Sequence, residues 1–101
     1  MNPSKVTRQN LAKLTDLPNI GKASEEDLKV LGITSVDDLI GRCPYEMHAT
    51  LCAKTGITHD PCVIDVFISI TRFMQGEEPK SWWNYTQERK EYFQQTKQYH
   101  T

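Results

Sequence analysis

Residues 17–21 read Leu17-Pro18-Asn19-Ile20-Gly21, and no regular element can run through them. Pro18 has no amide proton and pushes Leu17 out of the α region. Asn19 and Gly21 are residue types that tolerate positive φ. The chain must therefore turn here. Downstream, Leu28 and Leu31 stand three apart, and Gly32 supplies a left-handed stop to a helix over residues 22–31. Upstream, Leu11 and Leu14 repeat that spacing. The pattern predicts helix, tight turn, helix.

A chain of 101 residues makes a single domain with one small core. Its 38% hydrophobic and 25% charged content is that of a globular protein rather than a disordered one. No apolar run reaches the length of a membrane span. The opening MNPSKVTRQN lacks the apolar segment of a secretory signal. The 3 cysteines cannot all pair with one another. A reducing, cytoplasmic compartment is the expectation.

The net charge of −1 is unevenly spread. Residues 1–22 carry Lys5, Arg8, Lys13 and Lys22 against Asp16. Residues 80–101 carry Lys80, Arg89, Lys90 and Lys97 against Glu88 and Glu91. The middle of the chain is acidic. Only the two ends favour a polyanion.

Helix signals recur along the chain. A first helix is predicted from Asn2-Pro3, a cap followed by proline, to Leu14 or Thr15. After the turn and the second helix, Ser35 caps a short third helix with Asp38 three residues on, and Leu39 and Ile40 point inward. Pro44 opens a fourth helix through Met47, His48, Leu51 and Cys52 to Gly56. Asp60-Pro61 opens a fifth, in which Val63, Val66, Phe67, Ile70, Phe73 and Met74 follow helical spacing. Ile64 and Ile68 widen that stripe. The fifth helix is rich in β-branched residues, but its length, its start and Gly76 after Met74 favour helix over strand. A loop over 77–80 leads to Trp82-Trp83-Asn84-Tyr85 and a polar helix from about Thr86. The predicted fold is all-α, a compact bundle of five or six short helices. As one domain over 1–101 it divides into a hairpin over 4–31, a helical core extension over 35–75, and an aromatic, basic tail over 77–101.

The turn resembles that of the helix-hairpin-helix family, Leu-Pro-Gly-Ile-Gly, in four of its five residues. The order LGITSVDDLIG, CPYEMHATLC, HDPCVIDVFISITRFM and WWNYT extends the likeness. Over most of its length the chain resembles the small bacterial proteins called the pathogenicity-locus family. The hairpin resemblance implies weak, sequence-independent binding of nucleic acid, DNA above all. Phosphate would meet the backbone amides of Asn19 and Gly21, then Lys22 and Ala23 at a helix N-terminus. It also implies a monovalent cation held by the carbonyls of Thr15, Leu17 and Ile20. Two residues depart from the family pattern. Asn19 replaces the first glycine, and asparagine can adopt the left-handed region. Glu25 stands where alanine is preferred, within Ser24-Glu25-Glu26-Asp27, and these carboxylates suit the helix dipole but repel phosphate. The alternative is a protein-interaction scaffold built on a degenerate hairpin.

Three further features bear on chemistry. His48 and Cys52 stand i, i+4, and His59 and Cys62 stand i, i+3, so a helical hairpin could gather a zinc-like set. The spacing matches no finger or knuckle, and small core thiols with a capping His59 are the favoured reading. Cys43 is a boundary residue. Trp82 and Trp83 are read first as cover for the bundle, then as a homodimer or partner contact, and last as a stacking platform for bases helped by Lys80, Arg89 and Lys90. No Ser-His-Asp set, phosphate loop or dinucleotide fingerprint is present, so the chain is not expected to be an enzyme or to carry a cofactor.

Overall fold

A computed structural model describes residue 6 and residues 8–99 of the chain. Four α-helices form among these residues: α1 Lys22–Val30, α2 Pro44–Thr55, α3 Cys62–Met74 and α4 Thr86–Tyr99. Short 3-10 turns at Arg8–Asn10, Leu14–Asp16, Val36–Leu39 and Trp82–Tyr85 link or precede them. The described residues contain no strand, so the all-helical expectation holds.

The centre is α3. One face sends Phe67, Ile70 and Phe73 into the main core, where they meet Leu17, Ile20 and Leu28. The opposite face sends Ile64 and Ile68 against Tyr85 and Tyr45. The β-branched residues of α3 are tolerated because packing on both sides outweighs their modest propensity cost. Its hydroxyls are satisfied locally: that of Ser69 donates to the Val66 carbonyl and that of Thr71 to the Phe67 carbonyl. Asp60 caps as the sequence predicts, its carboxylate accepting the Cys62 amide at 2.8 Å.

Asp65 is fully buried on α3, and its partners lie on α4. Arg89 Nε donates to one carboxylate oxygen at 2.7 Å and the Thr86 hydroxyl to the other at 2.7 Å. This pair fastens α4 to the bundle. Removing one partner of such a pair strands a buried charge, at a cost of about 3–5 kcal/mol.

Helix α1 ends in a Schellman motif. Gly32 adopts φ 81, its amide bonds the Lys29 carbonyl, and the Ile33 amide bonds that of Leu28. Ile33 is fully buried as a result. Helix α2 stops at Gly56, which is left-handed at φ 71.

Three expectations are corrected. No α-helix forms over residues 8–15, and the proposed start at Asn2-Pro3 lies outside the described residues. The Asp16 carboxylate accepts the amides of Ala12 and Lys13, both at 2.9 Å, so those donors do not seek carbonyls four residues back. The chain restarts there as the turn Leu14–Asp16. Ile40 points outward, 62% exposed. Its segment is 3-10, where Val36 and Leu39 share a face at three residues per turn and Ile40 falls off it. Of the two tryptophans expected to cover the bundle, Trp82 is partly buried but Trp83 is 63% exposed, and the buried aromatic of this segment is Tyr85.

Replacing Phe67 by alanine should destabilise the protein by about 3–5 kcal/mol in urea unfolding. A loss under about 1 kcal/mol would mean that α3 is not the centre of the core. Asp16, Asp38 and Asp60 lie below the ordinary value of 3.8, chiefly through the amides of Ala12, Thr34 and Cys62 respectively. Their contribution is complete above 3.8 and is lost as pH falls through the lower folded values. Stability should therefore drop in the acid range, and changing all three to Asn should flatten that limb. An unchanged limb would assign the acid sensitivity to other groups.

Candidate nucleic-acid interface

The turn is anchored from within. Leu17 and Pro18 are buried, and the Leu17 and Ile20 side chains are 0% and 1% exposed. These residues hold the loop against the core, so its backbone is fixed by side chains that point away from solvent. The Asp16 carboxylate stiffens the entry, and Leu17 donates its amide to the Leu14 carbonyl at 3.1 Å.

Asn19 carries the reversal. Its φ is 65, and it is the one described non-glycine residue at positive φ. Its side chain explains why it is asparagine. Nδ2 donates to the Ser69 hydroxyl at 3.0 Å and to the Lys80 carbonyl at 2.8 Å. One carboxamide thereby joins the turn to the middle of α3 and to the loop that leads into the tryptophans. The substitution that looked like a mild departure from the hairpin pattern is a structural tie.

Gly21 differs from expectation. It is the N-cap of α1 with φ −97 and ψ −170, an extended conformation open to other residues. A Cβ there would meet nothing within 4 Å. The N-terminus of α1 has no side-chain cap, and Gly21, Lys22 and Ala23 are exposed. The Gly21 carbonyl takes the Glu25 amide at 2.9 Å. Among the described residues, neither the Asn19 nor the Gly21 amide donates a hydrogen bond within the chain. The turn thus brings Asn19, Gly21, Lys22 and Ala23 together on an exposed stretch with unpaired amides. Of the three carbonyls implied for a cation, those of Thr15 and Leu17 accept no hydrogen bond among the described residues.

The surrounding charges are largely committed. Glu25 is partly buried and pairs with Lys29 at 3.9 Å along α1. Arg8 donates to the carbonyls of Phe73 and Glu77 and lies 4.1 Å over the Phe73 ring. Arg89 belongs to Asp65, and Lys80 pairs with Glu77 at 3.3 Å. Lys13 and Lys22 remain exposed near the turn. Glu77 is a hub that accepts the Tyr85 hydroxyl at 2.8 Å and pairs with Arg72. Burial pushes its pKa up, but the hydrogen bonds from Tyr85, Lys80 and Arg72 outweigh this and leave it lowered. Burial, then the Glu77 bond, drives the Tyr85 hydroxyl well above its usual range.

The histidine and cysteine set does not gather as four ligands. His48 Nε2 lies 3.0 Å from the His59 carbonyl, and Cys52 Sγ is 3.8 Å from the His48 ring. The His59 ring turns to the Thr55 hydroxyl at 2.9 Å, and its amide donates to Cys52. Cys62 bonds Asp60, whose carboxylate raises the thiol pKa. No group of three or more His, Cys, Asp or Glu among the described residues is placed to hold a metal ion. No described helix is long and apolar enough to cross a membrane.

Sequence reasoning missed the Asn19 tie and the Asp65–Arg89 pair. A lone Asp inside the apolar run VIDVF was the available signal for the pair; nothing in the sequence signals the tie.

Asn19→Gly should keep the turn but lose both hydrogen bonds, costing about 1–2 kcal/mol. Asn19→Ala should cost about 1 kcal/mol more, because a Cβ is forced into the left-handed region. Urea unfolding of both variants checks the order. Alanine proving no worse than glycine would contradict the backbone assignment.

The description "pathogenicity locus" fits a family that matches residues 7–91. The chain is also 33% identical over 85 residues to the mitomycin resistance protein McrB of Streptomyces lavendulae, which covers 84% of this chain and 81% of that protein. No solved structure matches. On the family match and this relative, the chain belongs to the pathogenicity-locus family.

Proposed function

We propose that the protein binds DNA weakly and without sequence preference through the turn at residues 17–23, a helix-hairpin-helix reduced to a 3-10 turn before α1. The observation that carries this reading is the exposed, uncapped start of α1, with the Asn19 and Gly21 amides unpaired beside Lys22. Such a surface suits a phosphate, which takes amide donors and a positive helix end together. The missing side chain at Gly21 leaves room for that approach. No base-reading side chain is required, so little sequence preference follows. The carbonyls of Thr15, Leu17 and Ile20 would hold a monovalent cation beside the phosphate. The relative's name reports mitomycin resistance and specifies no ligand.

A protein-interaction scaffold is the second reading. It is favoured by the pairing of Arg8, Lys80 and Arg89 within the chain, which leaves few cations for a polyanion. A homodimer is one form of it. Neither reading involves catalysis, a zinc site or a bound cofactor, and both suit a bacterial cytoplasm.

Titration with random-sequence duplex and single-stranded DNA at several salt concentrations separates them. Few phosphates are neutralised, so the slope of log affinity against log salt should reflect about two to four contacts. Lys22→Ala should weaken binding to every sequence alike and lower that slope by about one. Glu25→Ala should tighten binding by removing a repelling carboxylate. Gly21→Ala should lower stability by no more than about 1 kcal/mol, since the space is open but alanine is a poorer N-cap than glycine, and should weaken binding by crowding the phosphate. No change with any of the three in folded protein would leave the scaffold reading standing.

A further inference from the structure

The hydrogen bond from Asn19 to the Lys80 carbonyl has a consequence for the tryptophans. It holds the segment that leads to Trp83 against the proposed phosphate turn. Lys80 and Trp83 are three residues apart, at most about 10 Å of chain. That reach is of the order of one to two nucleotide steps along an extended strand. Trp83 is 63% exposed, and Trp82 packs against it edge to face, ring centroids 5.7 Å apart at 81°. The 3-10 turn Trp82–Tyr85 is fixed from below by the buried Tyr85. Most of the Trp83 indole is open to solvent. The Glu77 carboxylate under this loop is already bonded to Tyr85, Arg72 and Lys80, so its charge is compensated.

We propose that the turn and Trp83 form one surface that takes single-stranded DNA, with a phosphate on the amides of Asn19 and Gly21 and an unstacked base on the Trp83 indole. This rests on the phosphate reading of the turn and names its substrate class. A base inside a duplex is stacked on both faces and cannot reach the indole. Stacking accepts any base, so the lack of sequence preference is kept.

The test uses the full chain and three probes at low salt: a twelve-residue oligothymidylate, an abasic strand of equal length, and a random duplex. The abasic strand keeps the phosphates and loses the bases. Wild type should bind oligothymidylate about fivefold to a hundredfold more tightly than the abasic strand. Trp83→Ala should remove that difference and leave abasic binding unchanged, whereas Trp83→Phe should keep most of it. Circular dichroism and urea unfolding establish that the variants remain folded, as an exposed position predicts. Equal binding of the two single strands by wild type overturns the proposal. So does oligothymidylate affinity that is unaltered in Trp83→Ala. Sensitivity to Lys22→Ala without sensitivity to Trp83→Ala keeps the phosphate reading and removes the stacking one. Sensitivity to Trp83→Ala without sensitivity to Lys22→Ala removes the turn and leaves stacking on its own. Failure of wild type to bind any of the probes overturns both.

Discussion

Helix α3 is apolar on two faces, and a helix of that kind has to be covered from two sides. The rest of the chain is disposed to do so. The turn, α1 and α2 supply one cover through Leu17, Ile20, Leu28, Met47 and Leu51, all fully or nearly fully buried. Tyr85 and Tyr45 supply the other. Polar ties then set the angles at which these covers sit. Arg8 reaches the end of α3, Asn19 reaches its middle, and Asp65 reaches across to Arg89. The last of these satisfies a fully buried carboxylate that would otherwise be costly.

What the sequence made legible follows from local physics. Proline, glycine and capping carboxylates act over a few residues, so the turn at 17–21, the stop at Gly32, the opening at Pro44 and the start at Asp60 could all be read. The apolar spacing of α3 also carried over, because Phe67, Ile70 and Phe73 lie on one stripe whatever they meet. The first helix was lost to another local effect, the capture of two amides by Asp16, which competes with a helix on nearly equal terms. Ile40 was misread because the 3-10 period differs from the α period.

The candidate site was less legible, for a different reason. Asn19 takes the left-handed conformation that its residue type allows, but Gly21 is extended and no helix precedes the turn among the described residues. The site's electrostatics could not be inferred from residue types. A count of charges by segment treated Arg8 and Arg89 as available cations, but each is bonded across the fold, to partners 65 and 24 residues away. The basic ends are therefore weaker attractors than their composition suggests, and Glu25 is a weaker repeller because Lys29 lies along the same face. Family membership adds no ligand to this account; the case for phosphate rests on amides and one lysine.

The amides themselves give the most direct test. Two-dimensional nitrogen–proton NMR of the labelled protein, titrated with a short DNA strand at low salt, reports each backbone donor separately. The largest shifts are expected at Asn19, Gly21, Lys22 and Ala23, reversed by added salt. Shifts centred on α2 or the far end of α4, with those four amides unmoved, would contradict it.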